Sequence, residues 1–114
     1  MSDEKTCQTF LRAAAVLVRR VGLARGKRKD YATGAVCMLG AMDFCGIYVS
    51  PRERDRIEKH ICGLLPIPNR HDVDTHNGWI KPGNYSRTIA WWSNMKAETA
   101  EDVAEKLELA AESC

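Results

Sequence analysis

Two adjacent tryptophans, followed after a short turn by a capped apolar helix, constrain the fold more than any other feature of this 114-residue chain. Trp91 and Trp92 supply large apolar side chains, and Thr99 with Asp102 three residues later forms a typical helix-capping pair. Behind this cap, apolar residues recur at steps of three and four, as on one helical face: Ala100, Val103, Leu107 and Ala110. We therefore predict that the indoles and this helix pack against residues 10–21 to form one core.

Two earlier segments also have the pattern of helices. Residues 2–21 carry apolar side chains at helical spacing and end at Gly22, a residue typical of helix C-termini. Residues 33–44 are apolar almost all round, which predicts a buried helix, with a strand over residues 36–39 as the alternative. Gly40 costs about 1 kcal/mol relative to alanine inside a helix, so we expect another backbone segment to approach it closely.

Two further helices are predicted in the second half of the chain. Ser50, Pro51 and Glu53 form the clearest start signal, because serine caps a helix, proline suits its first turn and glutamate reaches back to the cap. Residues 84–95 are predicted to form a short helix leading into the last one. A strand over residues 87–91 is the alternative, because its β-branched and aromatic residues suit a strand.

These elements predict an all-α fold, or a mainly α fold with a minor hairpin, built as a compact bundle of about four or five helices. The length is typical of one domain, so residues 1–114 are predicted to form a single helical domain. One long connection, at about residues 66–83, is rich in turn residues. Connections of this length are usually functional or disordered.

Composition predicts a soluble protein, since 45% of the residues are hydrophobic and 28% are charged. No run of about 18 apolar residues is present, which argues against a membrane span. The acidic N-terminus and the arginines around the first apolar stretch argue against a secretory signal. We therefore expect a cytoplasmic location. The five cysteines, an odd number without a Cys-x-x-Cys pair, are then expected as reduced thiols, with Cys114 exposed at a frayed end.

Charge is distributed unevenly along the chain. Residues 1–60 hold twelve Lys and Arg against seven Asp and Glu, whereas residues 61–114 hold five against eight. Such polarity can bring the two halves together or favour self-association. Six of the basic residues lie within residues 19–29. This basic segment is either a contact for phosphates or an acidic partner, or a solvated loop.

Residues with catalytic or metal-binding chemistry are few. His71, Asp74 and His76 are weak candidates for a metal site, because imidazole and carboxylate groups ligate zinc and manganese; a polar loop is the favoured interpretation. The known phosphate-loop, nucleophile-elbow and zinc-protease motifs are absent. Cys62 and His71 could form a nucleophile pair, but no orienting partner is evident. We therefore expect no catalytic activity and no cofactor.

Three short motifs resemble those of an uncharacterised family. A Cys-x-x-Gly-Ala segment occupies residues 37–41, and Trp92 precedes a Thr-x-x-x-Val helix that contains Thr99 and Val103. In these motifs the chain is similar to small proteins of actinobacteria and their phages that form a family of unknown function. The chain has Ser-Asn after Trp92 where that family has Asn-Asp. The resemblance covers roughly half of the chain and implies a small, mainly helical, cytoplasmic and phage-encoded protein, without implying any activity.

Together these observations predict an interaction or regulatory protein that binds a host protein or another copy of itself. Trp91 is one candidate contact, because two adjacent helical tryptophans cannot share a face; burial of both indoles is the alternative. The other candidate contacts are basic: Arg25, Lys27, Arg28 and Lys29. The alternative function is nucleic-acid binding through residues 19–29, which predicts strong salt dependence. No membrane partner is expected.

Overall fold

The computed structural model describes residues 2–66 and 85–114. Five helices follow one another in these ranges: α1 (Ser2–Val21), α2 (Met38–Phe44), α3 (Pro51–Cys62), α4 (Tyr85–Trp91) and α5 (Ala100–Glu112). A π-helical turn, Trp92–Lys96, continues α4 towards α5. The described residues contain no strand, only isolated β-bridges from Leu23 and Lys29 to Val36. The prediction of a mainly α fold with four or five helices is confirmed.

Helices α1 and α5 make the most extensive contact between any two elements of the described fold. Two contacts show that they run antiparallel. Cys7 near the start of α1 is bonded to Cys114 beyond the end of α5, and Arg19 near the end of α1 contacts Glu101 at the start of α5. The predicted packing of the last helix on the first is confirmed. Both helices bury an apolar stripe in one hydrophobic cluster: Phe10, Leu11, Ala14, Ala15 and Val18 from α1, and Val103, Ala104, Leu107, Ala110 and Ala111 from α5.

Two of the helices begin where their capping residues predict. The Thr99 hydroxyl accepts a hydrogen bond from the Asp102 backbone N–H at 3.2 Å, and the Asp102 carboxylate accepts one from the Thr99 N–H at 3.1 Å. At the start of α3, the Ser50 hydroxyl accepts from the Glu53 N–H at 3.1 Å. Caps of this kind contribute about 1 kcal/mol each to stability.

The segment between α1 and α2 folds back on itself and does not begin a helix early. Gly22 leaves α1 with a φ of +95°, which glycine adopts without steric cost. The Ala24 N–H then donates to the Val36 carbonyl, and the Val36 N–H donates to the Gly22 carbonyl, each at 3.0 Å. Because these backbone groups are already paired, α2 begins at Met38. The predicted helix start at Thr33 is wrong, and so is the strand alternative, since Val36 forms only isolated bridges.

The two tryptophans lie where α4 passes into the π-helical turn. The Ala97 N–H donates to the Trp92 carbonyl, five residues earlier, at 2.9 Å, which is the hydrogen bond of a π-turn. Trp91 and Trp92 are only 4% and 8% exposed. Both indoles are therefore core residues, which confirms the predicted packing of the pair in the core, and the interpretation of Trp91 as a surface residue is wrong. The alternative of a strand over residues 87–91 is also wrong, since they are helical.

Two of the five cysteines form a disulfide bond, contrary to the expectation of five reduced thiols. The Cys7 and Cys114 sulfurs are 2.13 Å apart, and their Cα atoms are 6.2 Å apart. Cys114 is half-buried instead of exposed. Cys37, Cys45 and Cys62 are free thiols. The pairing arises from the antiparallel packing of α1 and α5, which the sequence separation of 107 residues does not reveal.

Candidate interaction surface

Arg19, the first residue of the basic segment, is paired within the molecule. Its guanidinium lies between two carboxylates of α5, with Nη2 2.6 Å from Glu101 Oε2 and Nη1 2.6 Å from Glu108 Oε2. Hydrogen bonds from Arg19 lower the pKa of both carboxyl groups. The opposite charges of the two halves of the chain therefore meet inside one molecule.

Arg25 binds backbone carbonyls at the end of the π-helical turn. Its guanidinium donates to the carbonyl oxygens of Asn94, Ala97 and Glu98 at 2.9, 2.7 and 3.0 Å. The neighbouring Gly26 N–H donates to the Asn94 side chain at 3.0 Å. Helix ends leave carbonyls without partners, and a cation at that end is favourable. Arg25 thus stabilises the fold, and three of its five N–H donors are occupied by these contacts.

The remaining basic candidates differ in what they contact. Arg28 Nη1 lies 2.6 Å from Asp43 Oδ2. The Lys29 ammonium lies 5.3 Å from the centre of the Tyr31 ring and 4.8 Å from that of Phe44, both within cation–π range. Lys27 is exposed and has no partner among the described residues. Binding of a partner by these residues stays a prediction; Lys29 and one N–H group of Arg28 are engaged within the fold, whereas Lys27 is not.

The Trp91 indole is covered by the fold. The Lys96 ammonium lies 5.7 Å from the centre of its ring. Its buried Nε1–H group has no hydrogen-bond acceptor among the described residues. The Trp92 ring has the equivalent cation contact with Lys106, at 5.6 Å. An indole covered in this way offers little surface to a partner, so the predicted contact at Trp91 needs a conformation other than the one described here.

The most exposed aromatic side chain among the described residues, Tyr48, lies in the link between α2 and α3, and Tyr31 is exposed to a similar extent. Tyr48 is 83% exposed, Ile47 beside it is 37% exposed, and Phe44 at the end of α2 is 41% exposed. We call these three residues the Tyr48 surface. The sequence does contain a signal for it, because an apolar and aromatic run between Gly46 and the Ser50 cap cannot continue either helix.

Two residues of the Tyr48 surface, Ile47 and Tyr48, line two clefts. The first, of about 490 Å³, is lined by Phe10, Met42, Asp43, Gly46, Ile47, Tyr48, Val49, Pro51 and Arg54. The second, of about 380 Å³, is lined by Lys5, Thr6, Thr9, Ile47 and Tyr48. Ile47 and Tyr48 therefore form a ridge with a concave space on either side. Both volumes are in the range of typical ligand-sized clefts.

The charged groups in the first cleft neutralise one another. Arg54 Nη1 lies 2.9 Å from Asp43 Oδ1, and Arg54 Nε lies 2.8 Å from Glu58 Oε2. The Arg54 guanidinium also lies 5.9 Å from the centre of the buried Phe10 ring. A partner entering this cleft meets an apolar surface with paired charges at its edge, which suits another protein better than a phosphate chain.

The histidine and thiol groups of the described residues have structural contacts. His60 Nε2 lies 2.9 Å from both the Ala110 carbonyl oxygen and the Ser113 hydroxyl. Burial raises the pKa of the Cys62 thiol to about 11, which leaves very little reactive thiolate at neutral pH. The described residues contain no group of His, Cys, Asp or Glu able to hold a metal ion. The weak metal candidates His71, Asp74 and His76, and most of the predicted connection, lie outside the described residues.

The fold and this surface define a small, mainly α-helical protein with an exposed aromatic ridge. None of the described helices has both the length and the apolar character needed to span a bilayer. The chain belongs to the family DUF6197, described as a family of unknown function, whose model matches residues 1–113. The expected membership of a family of unknown function is thus confirmed, and the similarity extends over nearly the whole chain. Neither the curated proteins nor the solved structures contain a significant match.

Proposed function

We propose that this protein is an interaction module that binds a partner protein through the Tyr48 surface. The observation that carries the proposal is the 83% exposure of Tyr48 on a ridge between two clefts. Tyrosine is enriched at binding hot spots, and contiguous exposed apolar residues typically mark interaction sites. No reaction is proposed for this surface.

The link that carries Tyr48 is held at both ends, so the surface is largely formed before a partner binds. Phe44 ends α2, and Ser50 caps α3 through its hydrogen bond from Glu53. Val49, next to Tyr48, packs against the core. A preformed backbone lowers the entropy lost on binding, and a tyrosine side chain has only two torsions to immobilise.

The contacts of the basic segment favour a protein partner over nucleic acid. Binding to a nucleic-acid backbone requires several cations available for phosphates. Arg19 is held by two carboxylates, Arg25 by three carbonyls and Arg28 by one carboxylate. Among the described residues of the segment, this leaves Arg20 and Lys27 without a partner. Arg19 and Arg25 are thus held within the fold, and Arg20, Lys27 and the remaining N–H groups of Arg28 are the donors left for phosphates, which is few for a nucleic-acid backbone.

The proposal includes a regulatory role, a cytoplasmic location and an actinobacterial or phage origin, with a host protein or a second copy of the chain as the partner. The resemblance described above supports the origin and makes an actinobacterial lysate the source of candidate partners. Disulfides are rare in the cytosol. The redox state of Cys7 and Cys114 in cells is therefore a direct check on the location.

A comparison of two alanine variants tests the proposal. Tyr48→Ala removes the ridge, and Met95→Ala removes an exposed side chain elsewhere on the surface. The two positions lie near opposite ends of α1. Tyr48 shares a cleft with Lys5 at the start of α1, whereas Asn94, next to Met95, contacts Arg25 just after its end. Immobilised wild type and Met95→Ala are expected to retain the same protein from lysate, or to show the same self-association in sedimentation. Tyr48→Ala is expected to lose this retention or self-association, while its melting temperature stays unchanged.

Two outcomes contradict the proposal. Recovery of the same proteins, and the same self-association, with Tyr48→Ala would show that the ridge is not the contact. A salt-sensitive gel shift with mixed DNA and RNA, lost on Lys27→Ala and kept in Tyr48→Ala, would instead support the nucleic-acid function.

A further inference from the structure

We propose that a third cleft, between the basic segment and α4, binds a small organic phosphate. The cleft has a volume of about 280 Å³, and three cationic side chains line it: Lys27, Arg28 and Arg87. None of the described residues that line it is acidic. It shares no lining residue with the two clefts beside Tyr48, so this site is independent of the proposed protein contact.

The cations of this cleft have donors to spare. Lys27 and Arg87 are exposed, and no described residue pairs with either of them. Asp43 accepts from Nη1 of Arg28, while Nε and Nη2 of that guanidinium have no partner among the described residues. Asp43 lines the first cleft, beside Tyr48, and does not line the third cleft. The described lining of this cleft has three cations and no acid, and although Asp43 offsets part of the Arg28 charge, the net positive charge attracts an anion.

The wall that carries Lys27 and Arg28 is held by backbone contacts that need no ligand. The Arg28 carbonyl oxygen accepts from the Cys37 N–H at 3.2 Å. The Gly26 N–H donates to the Asn94 side chain at 3.0 Å, which ties this wall to the π-helical turn that follows α4. Ligand sites are usually formed before binding, and this cleft meets that condition.

The floor and size of the cleft select the class of anion. Leu39 and Cys37 are buried residues at its base, and Ala90 adds apolar surface from α4. Ser86 and Asn94 add neutral polar groups to the lining. Arginine guanidinium groups match the geometry of phosphate oxygens, while the apolar floor can contact a small organic group. A phosphomonoester with one small ring fits a space of this volume, which is below the usual range for larger ligands.

Titration calorimetry with phenyl phosphate as the probe, at low ionic strength, tests the site. We expect saturable one-to-one binding by the wild-type chain, weakened about tenfold or more by Arg87→Ala and by Lys27→Ala, because each removes a charged hydrogen bond to the phosphate. Lys59→Ala removes an exposed cation of α3 that lines none of these clefts, so it controls for net charge. Its affinity is expected to match that of the wild type. Inorganic phosphate is expected to compete, but more weakly, because it lacks the ring.

Three results would overturn the site. One is the absence of saturable heat with phenyl phosphate at millimolar concentration. Another is equal weakening by Lys59→Ala and Arg87→Ala, which would reveal a net-charge effect. The third is tight binding of single-stranded DNA without binding of phenyl phosphate, which would identify a polymer contact in place of a small-molecule cleft. Neither Arg87 nor Lys27 is a core residue, and unchanged melting temperatures of both variants would exclude unfolding as the cause.

Discussion

The carbonyl oxygen of Arg28 occupies the place where a side chain on Gly40 would begin. A Cβ atom added to Gly40 would lie 1.7 Å from this oxygen and 3.2 Å from the Val36 Cβ. The Arg28 carbonyl also accepts the Cys37 N–H at the start of α2. The crossing of these two backbones fixes the basic segment on α2, and with it the wall of the proposed phosphate cleft.

Gly40→Ala is expected to destabilise the fold by roughly 3 kcal/mol or more, although alanine is the better helix former by about 1 kcal/mol. The destabilisation arises because the new methyl group overlaps backbone atoms, which cannot rotate away as a side chain can. Urea denaturation of the variant and the wild type measures the change in the free energy of unfolding.

Gly63→Ala is the matched control. Gly63 follows α3 with a φ of −65°, which alanine adopts readily, and its added Cβ would lie 3.3 Å from the nearest atom, the His60 carbonyl oxygen. We expect a change within about 1 kcal/mol. Similar effects of the two substitutions would mean that the Arg28 and Gly40 backbones do not cross as described.

The disulfide between Cys7 and Cys114 is expected to contribute about 2–4 kcal/mol to stability, because it closes a loop of almost the whole chain in the unfolded state. Adding dithiothreitol to the wild type should lower the urea midpoint by the corresponding amount. Cys114→Ser should start from the lower midpoint and no longer respond to the reductant. Cys45→Ser, which removes a free thiol, should keep the full response.

Mass spectrometry gives an independent check of this bond. Alkylation of the urea-unfolded protein should modify three cysteines before reduction and all five after it, since Cys37, Cys45 and Cys62 are the free thiols. If five cysteines are modified without any reductant, Cys7 and Cys114 are not bonded, and the expected stabilisation has no basis.

Features that depend on neighbours in the sequence were predictable, and those that depend on tertiary contacts were less so. The starts of α3 and α5 follow from Ser50 and Thr99, whose hydrogen bonds reach only three residues ahead. Gly40 signalled a close backbone approach, but nothing in its neighbourhood identified Arg28 as the approaching residue. The pairing of Cys7 with Cys114 likewise requires the antiparallel packing of two helices at opposite ends of the chain.

The candidate site was harder to predict, because exposure and charge pairing are properties of the assembled fold. The Trp-Trp pair was predicted to build the core and does so, but Trp91 was also a candidate surface contact, while the exposed Tyr48 in a short link was not. Charge counting along residues 19–29 gave no sign that Arg19 and Arg25 are held by groups more than 60 residues away.

Cys62 is expected to react slowly with alkylating reagents despite being only half-buried. Burial raises its thiol pKa to about 11, so roughly one molecule in a thousand carries the thiolate at pH 8. We expect native-state labelling with iodoacetamide, followed by peptide mass spectrometry, to modify Cys62 at least about tenfold more slowly than Cys45. In urea both thiols should react at one rate. Equal rates in the native protein would contradict the buried setting of Cys62.

The contact of Arg19 with Glu101 and Glu108 predicts how stability depends on pH. Hydrogen bonds from Arg19 lower both carboxyl pKa values below the usual 4.5, so the contact stabilises the fold above that pH and is lost as the pH falls through the lowered values. The melting-temperature difference between wild type and Arg19→Gln should be constant from about pH 5 to 8 and shrink towards pH 3. It should be small and decrease with salt, because the side chains are exposed. Arg20 has no carboxylate partner among the described residues. The melting-temperature difference between wild type and Arg20→Gln should therefore not shrink towards low pH. A difference that grows towards low pH would refute the assignment.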